Sequence, residues 1–114
     1  MVKDYSNQAK TKITTRGILK ISIFLENIMY IQCDGDLAML FLNDRSKVAE
    51  IKTLKEFEEE LSDMGFIRVS RNTIVNCKYI TKVNTNHNKR IVYLGGIVFN
   101  ISRRRLTFLK KHLF

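Results

Sequence analysis

Cysteine is scarce in this chain of 114 residues, which has only Cys33 and Cys77. With no second pair and no metal-ligand spacing, they read as two reduced, half-buried thiols rather than a disulfide framework or a zinc site. No apolar run approaches the ~20 residues of a membrane-spanning helix, and the opening Met1-Val2-Lys3-Asp4-Tyr5-Ser6-Asn7-Gln8 lacks the apolar stretch of a secretory signal. Those absences predict a soluble cytoplasmic protein with no membrane insertion. Neither His87 nor His112 has a nucleophile motif, phosphate-binding loop or metal cluster around it, so no enzyme, small-molecule substrate or cofactor is expected. The length and the 45% hydrophobic content allow one small domain with one core.

Acid is missing altogether from residues 65–114, which carry eleven Lys or Arg, whereas residues 1–64 carry nine Lys or Arg and eleven Asp or Glu. The net charge of +9 is therefore concentrated in one half of the chain. A solvated surface ordinarily mixes signs, because like charges repel, so an acid-free stretch of this length asks for an external counter-charge. The candidates are DNA or RNA phosphates and an anionic membrane surface.

Residues 1–12 are polar and without periodicity, which reads as a disordered or weakly held N-terminal arm, with one domain over 13–114. Short apolar runs then alternate with turn residues. Strands are expected at Gly17 to Phe24, Ile28 to Cys33, Leu37 to Leu42 and Lys47 to Ile51, the last three separated by Asp34-Gly35-Asp36 and Asn43-Asp44-Arg45-Ser46. Thr53-Leu54-Lys55-Glu56 is a capping box, and Leu54, Phe57 and Leu61 mark the buried face of the helix it opens. Gly65 stands where a C-terminal stop is expected, and Glu58, Glu59 and Glu60 read as a solvated face. Further strands are expected at Phe66 to Val69, Thr73 to Asn76 and Tyr79 to Val83, with Asn84 to Lys89 a polar loop. Arg90 to Leu94 and Ile97 to Ile101 form a hairpin across Gly95-Gly96, whose positive φ values match the twist. Ser102 caps a last helix that docks through Leu106, Leu109 and Leu113.

Arg103, Arg104 and Arg105 fall in the first turn of that helix, where free N–H groups and the macrodipole are already positive. Each exposed cation there costs roughly 0.3–1 kcal/mol unless an anion arrives. A phosphate would reverse the sign, and arginine forks beside it could reach a guanine edge.

The segment Phe66-Ile67-Arg68-Val69-Ser70-Arg71-Asn72-Thr73-Ile74-Val75-Asn76 resembles the F-I-R-x-H-R-S-x-I-V-N segment of the LytTR domain, the DNA-binding part of LytR/AlgR-type bacterial response regulators. The resemblance extends to Ile28-Met29-Tyr30-Ile31-Gln32, Thr53-Leu54-Lys55-Glu56 and Ile101-Ser102-Arg103-Arg104, and so covers about Ile18 to His112. It implies an elongated, mostly β fold with short helices, whose loops enter successive major grooves of duplex DNA. It also implies base contacts near Leu37, at Arg71 and at Arg103. Leu37 departs from the family's polar or aromatic residue, leaving at most a thymine methyl contact. Ser70 replaces the family's usual His, and its shorter side chain leaves a phosphate contact.

The expected function is sequence-specific binding of duplex DNA by a transcriptional regulator, with Arg71, Arg103 and Leu37 on bases. Ser70, Asn72, Lys78, Lys89, Arg90 and Arg104 would lie on phosphates. Repeated half-sites, each taking one copy, would supply the discrimination that one small module lacks. Alternatives are a single-strand or RNA module, for which Phe66, Tyr93 and Phe99 read as core rather than as a stacking platform, and a protein- or lipid-binding module with a basic surface.

Overall fold

The computed structural model describes residues 6–16 and 20–112. Among the described residues, ten strands and two α-helices follow in the order β1 (Lys12–Thr14), β2 (Ser22–Phe24), β3 (Ile28–Asp34), β4 (Leu37–Leu42), β5 (Lys47–Ile51), α1 (Leu54–Leu61), β6 (Phe66–Ser70), β7 (Thr73–Asn76), β8 (Lys82–Asn84), β9 (Ile91–Leu94), β10 (Ile97–Asn100) and α2 (Arg103–His112). They build a five-stranded sheet ordered β5-β4-β3-β7-β6, a three-stranded sheet β10-β9-β8 and a two-stranded ribbon β1-β2. Every pairing is antiparallel. The mostly β, elongated fold expected from the sequence is what forms, with extents of 47 × 31 × 25 Å.

Apolar side chains explain the layering. On β6 and β7, Phe66 and Ile74 face one cluster with Ile31, Leu40, Leu54, Phe57 and Leu61, beneath α1. Ile67, Val69 and Val75 face a second cluster with Val92, Leu94, Ile101 and Leu109, beneath the smaller sheet and α2. Strand β7 is buried throughout because it is covered on both sides, which is why Thr73-Ile74-Val75-Asn76 shows no polar alternation. Two clusters thus replace the single core expected from chain length. Tyr30 ties the layers together, stacked on Phe41 with centroids 4.3 Å apart and edge-on to Phe99 at 4.8 Å.

Local signals hold where they are strong. The Glu56 amide donates to Thr53 Oγ1 at 3.2 Å and the Thr53 amide donates to the Glu56 carboxylate at 3.4 Å, which is the expected box. Gly65 adopts φ 81°, a value that favours glycine, between α1 and β6. In the β9–β10 turn only Gly95, at φ 60°, has the positive φ expected of both glycines. Tyr79 is not in a strand. Asn76 Oδ1 accepts from the Lys78 amide at 3.1 Å, which winds Cys77–Tyr79 into a 3-10 turn and delays β8 to Lys82. Of the early strand, residues 17–19 lie outside the described residues, as does Leu113 of the last helix.

The weakly held arm expected over residues 1–12 is, from residue 6, part of the fold. Ser6–Lys10 is a 3-10 turn, and Lys12 begins β1. Gln8 is buried against Asn76, each amide nitrogen donating to the other's oxygen at 3.0 Å, and Asn76 also donates to the Ile28 carbonyl at 2.8 Å. A fully buried amide needs such partners, since leaving one unmade costs about 1–3 kcal/mol. The polar character of Gln8 supplies a partner for Asn76 rather than marking a solvated tail.

Candidate nucleic-acid interface

One end of the five-stranded sheet gathers the chain reversals that carry most of the expected contact residues. Arg71 and Asn72 form the two-residue turn between β6 and β7, which lies beside the β3–β4 turn because the Cys33 amide donates to the Asn72 carbonyl at 3.0 Å. The entry to α2 joins them, the Ser102 amide donating to the Val69 carbonyl at 2.8 Å. Ser102 caps that helix as expected, its Oγ accepting from the Arg105 amide at 3.1 Å.

A groove of about 750 Å³ at this end is lined by Arg71, Asn72 and Ser70 from the β6–β7 turn, by Gly35 and Asp34, and by Thr53 and Lys55 at the start of α1. A second, of about 370 Å³, adds Arg104 and Arg105. Arg71, Arg103 and Arg104 are exposed, and their side chains make no hydrogen bond or ion pair among the described residues. Lys55, overlooked in the sequence because the capping box accounts for that segment, is likewise exposed and unpaired.

The expected positions are not equivalent. Ser70 Oγ donates to Asn72 Oδ1 at 2.8 Å, so both side chains first shape their own turn. Arg90 is half-buried and donates through Nε to the Ile101 carbonyl at 2.9 Å, leaving only its outer nitrogens for a ligand. Lys89 is exposed beside it. Leu37 is 47% exposed and pairs across the strands with Ile51, which is 72% exposed, so the two form an apolar edge next to the same turn. Lys78 follows the opposite end of β7 and is 3.5 Å from the Glu26 carboxylate.

The three arginines of α2 also divide. Arg105 is not a free cation but donates to the Glu58 carboxylate at 2.5 Å and to the Arg68 carbonyl at 3.1 Å. Arg68 takes the other oxygen of Glu58 at 3.3 Å. Part of the counter-charge sought by the acid-free half is thus internal, and Glu58 belongs to an ion-pair cluster rather than to a solvated face. Glu60 is likewise paired, with Lys52 at 2.5 Å. Cys33 borders the groove, its thiol pushed up by burial and drawn back by the Arg68 charge.

Phe66 is buried and Phe99 packs against the second cluster, so neither offers a stacking face. Tyr93 belongs to neither cluster and is half-buried, with the Lys82 ammonium 5.6 Å from its ring centre. No described helix is long and apolar enough to cross a membrane.

The model of the LytTr DNA-binding domain matches residues 19–114. The chain belongs to the LytTR family. A solved structure described as the LytTr DNA-binding domain of a methyl-accepting/DNA response regulator from Bacillus cereus superposes with a TM-score of 0.75 at 19% identity, over 88% of this chain and 94% of that one. At that identity the superposition speaks for the fold. No curated protein sequence matches significantly. LytTR is a DNA-binding domain of transcription regulators, and DNA is therefore a partner of this LytTR chain.

Proposed function

We propose that the protein binds duplex DNA sequence-specifically as a cytoplasmic transcriptional regulator, presenting the β6–β7 turn and the start of α2 to the major groove. The observation that carries this reading is the gathering at one end of the sheet of Arg71, Arg103 and Arg104, exposed and unpaired among the described residues. Arginine forks on turns anchored by packed strands can be aimed at guanine O6 and N7, and each good pair discriminates by about 1–3 kcal/mol. Arg71 and Arg103 take that role, and Leu37 offers a methyl contact to thymine. Ser70, Asn72, Lys89, Arg90 and Arg104, joined by Lys55, lie along phosphates.

Two or three such contacts give about 2–9 kcal/mol and do not span the ~4–10 kcal/mol that separates specific from random binding, so two copies, on half-sites spaced by multiples of about 10–10.5 base pairs, bring the sum into range. Selection of bound duplexes from a random pool tests the proposal. The expected outcome is one enriched motif, repeated at that spacing. A pool that stays random would refute sequence-specific reading, and a single unrepeated motif would refute the pairing.

A further inference from the structure

The Glu58–Arg68–Arg105 cluster joins the two elements to which base contacts are assigned. Glu58 sits on α1 and presents one carboxylate oxygen to Arg68 and the other to Arg105. Arg68, on β6, then turns its remaining donors onto the β6–β7 turn: Nε donates to the Ser70 carbonyl at 3.1 Å and a terminal nitrogen donates to the Arg71 carbonyl at 2.7 Å. Arg105, in the first turn of α2, spends Nε on the Arg68 carbonyl at 3.1 Å. Every one of these partners is a fixed backbone carbonyl or a single shared carboxylate, and the side chains of Arg68 and Arg105 are only 19% and 23% exposed.

We infer that Glu58, Arg68 and Arg105 are positioning residues that hold the Arg71 turn and the Arg103 end of α2 at a fixed separation, and that they do not themselves bind DNA. The inference rests on the proposed reading of duplex DNA by Arg71 and Arg103. Its physical basis is the fork geometry of guanidinium, which reaches three acceptors in one plane where a lysine ammonium cannot. Without the brace the turn and the helix end move independently, and two forks must be ordered at the cost of binding instead of being presented together.

The charge on Glu58 separates a brace from simple electrostatics. Removing Glu58 deletes a negative charge beside a polyanion site, so electrostatics alone predicts tighter binding to every duplex. The brace predicts the opposite for the preferred duplex. Glu58→Ala and Arg68→Lys are measured in the full chain against a selected duplex and a scrambled one, across salt. The expected result is a roughly tenfold fall in the ratio of specific to scrambled affinity for both variants. The salt slope of Arg68→Lys should be unchanged, and scrambled-duplex affinity should be unchanged for Arg68→Lys and equal or higher for Glu58→Ala. Equal losses on both duplexes with a shallower slope would make Arg68 a phosphate contact and overturn the inference, as would an unchanged ratio.

Backbone amide resonances of the free variants supply a readout that needs no DNA. Glu58→Ala should shift amides at both residues 70–72 and 102–105, while shifts confined to α1 would overturn the brace. Arg68→Lys serves the same purpose where Glu58→Ala does not fold. Failure of the wild-type chain to distinguish any duplex from scrambled DNA would instead refute the reading on which the inference rests, leaving the amide result to decide the brace itself.

Discussion

The two ends of strand β7 are built from similar polar residues and do opposite things with them. At the Asn76 end the polar groups find partners within the fold: Asn76 is wholly buried, Gln8 closes its amide, Tyr79 Oη donates to the Glu26 carbonyl, and the exposed Lys78 pairs with Glu26. At the Arg71 end the Arg71 carbonyl accepts from Arg68, while the side chains of Arg71, and of Arg103 and Arg104 beyond, are exposed and have no partner among the described residues. A protein gains nothing in stability from unpaired cations at a helix N-terminus. In the proposed reading the first end holds the fold and the second meets the anionic partner.

Asn76→Ala strikes the buried end of β7. It strips partners from buried Gln8 and from the Ile28 carbonyl, and should cost about 3 kcal/mol, or roughly 10–15 °C in Tm. Thermal unfolding checks this, and below the lowered Tm the DNA preference should survive. Arg71→Ala should show the reverse pattern. Stability should change by less than about 0.5 kcal/mol, as for an ordinary surface position. Affinity for the selected duplex should fall by about 1–3 kcal/mol, with scrambled DNA scarcely affected, as read by titration calorimetry or anisotropy. A loss equal on both duplexes would make Arg71 a phosphate contact.

Smaller still is the helix cap. Thr53→Ala should cost about 1 kcal/mol. Glu56 is held below the ordinary carboxylate range chiefly by the Thr53 amide, with the Thr53 hydroxyl and Arg16 adding to it. Its contribution is therefore complete above the usual glutamate pKa and disappears as pH falls through the lowered value, because the unfolded chain takes up that proton first. Denaturant midpoints followed down from neutral pH should show an acid-side loss that Thr53→Ala reduces. At the low end of the scale, Lys89→Ala should remove about one unit from the dependence of log affinity on log salt, whereas Lys78→Ala, paired and at the other end of β7, should leave it unchanged.

What could be read from the chain follows how local each determinant is. The β3–β4–β5 meander, the Thr53–Glu56 box and the β9–β10 hairpin depend on residues a few positions apart, and their boundaries agree within a residue or so. The Gln8–Asn76 pair spans 68 residues and the Glu58–Arg105 pair 47, and no periodicity announces either. Hence an inward-facing Gln8 read as a solvated arm, and Arg105 read as a free cation like its neighbours Arg103 and Arg104. Arg71 and Arg103 stood out through the family resemblance and the misplaced charge. Lys55 did not, because it approaches the groove only once α1 is packed on the sheet.

In the proposed reading it is the Arg71 end, and not the Asn76 end, that meets DNA. Titrating the isotopically labelled chain with the selected duplex, amide by amide, distinguishes the two ends. Resonances of residues 70–72 and 102–104 should shift or broaden first, while those of 76–80 stay in place. Perturbations centred on residues 76–80, or on the outer face of the β8–β9–β10 sheet around Tyr93 and Val98, would refute this placement.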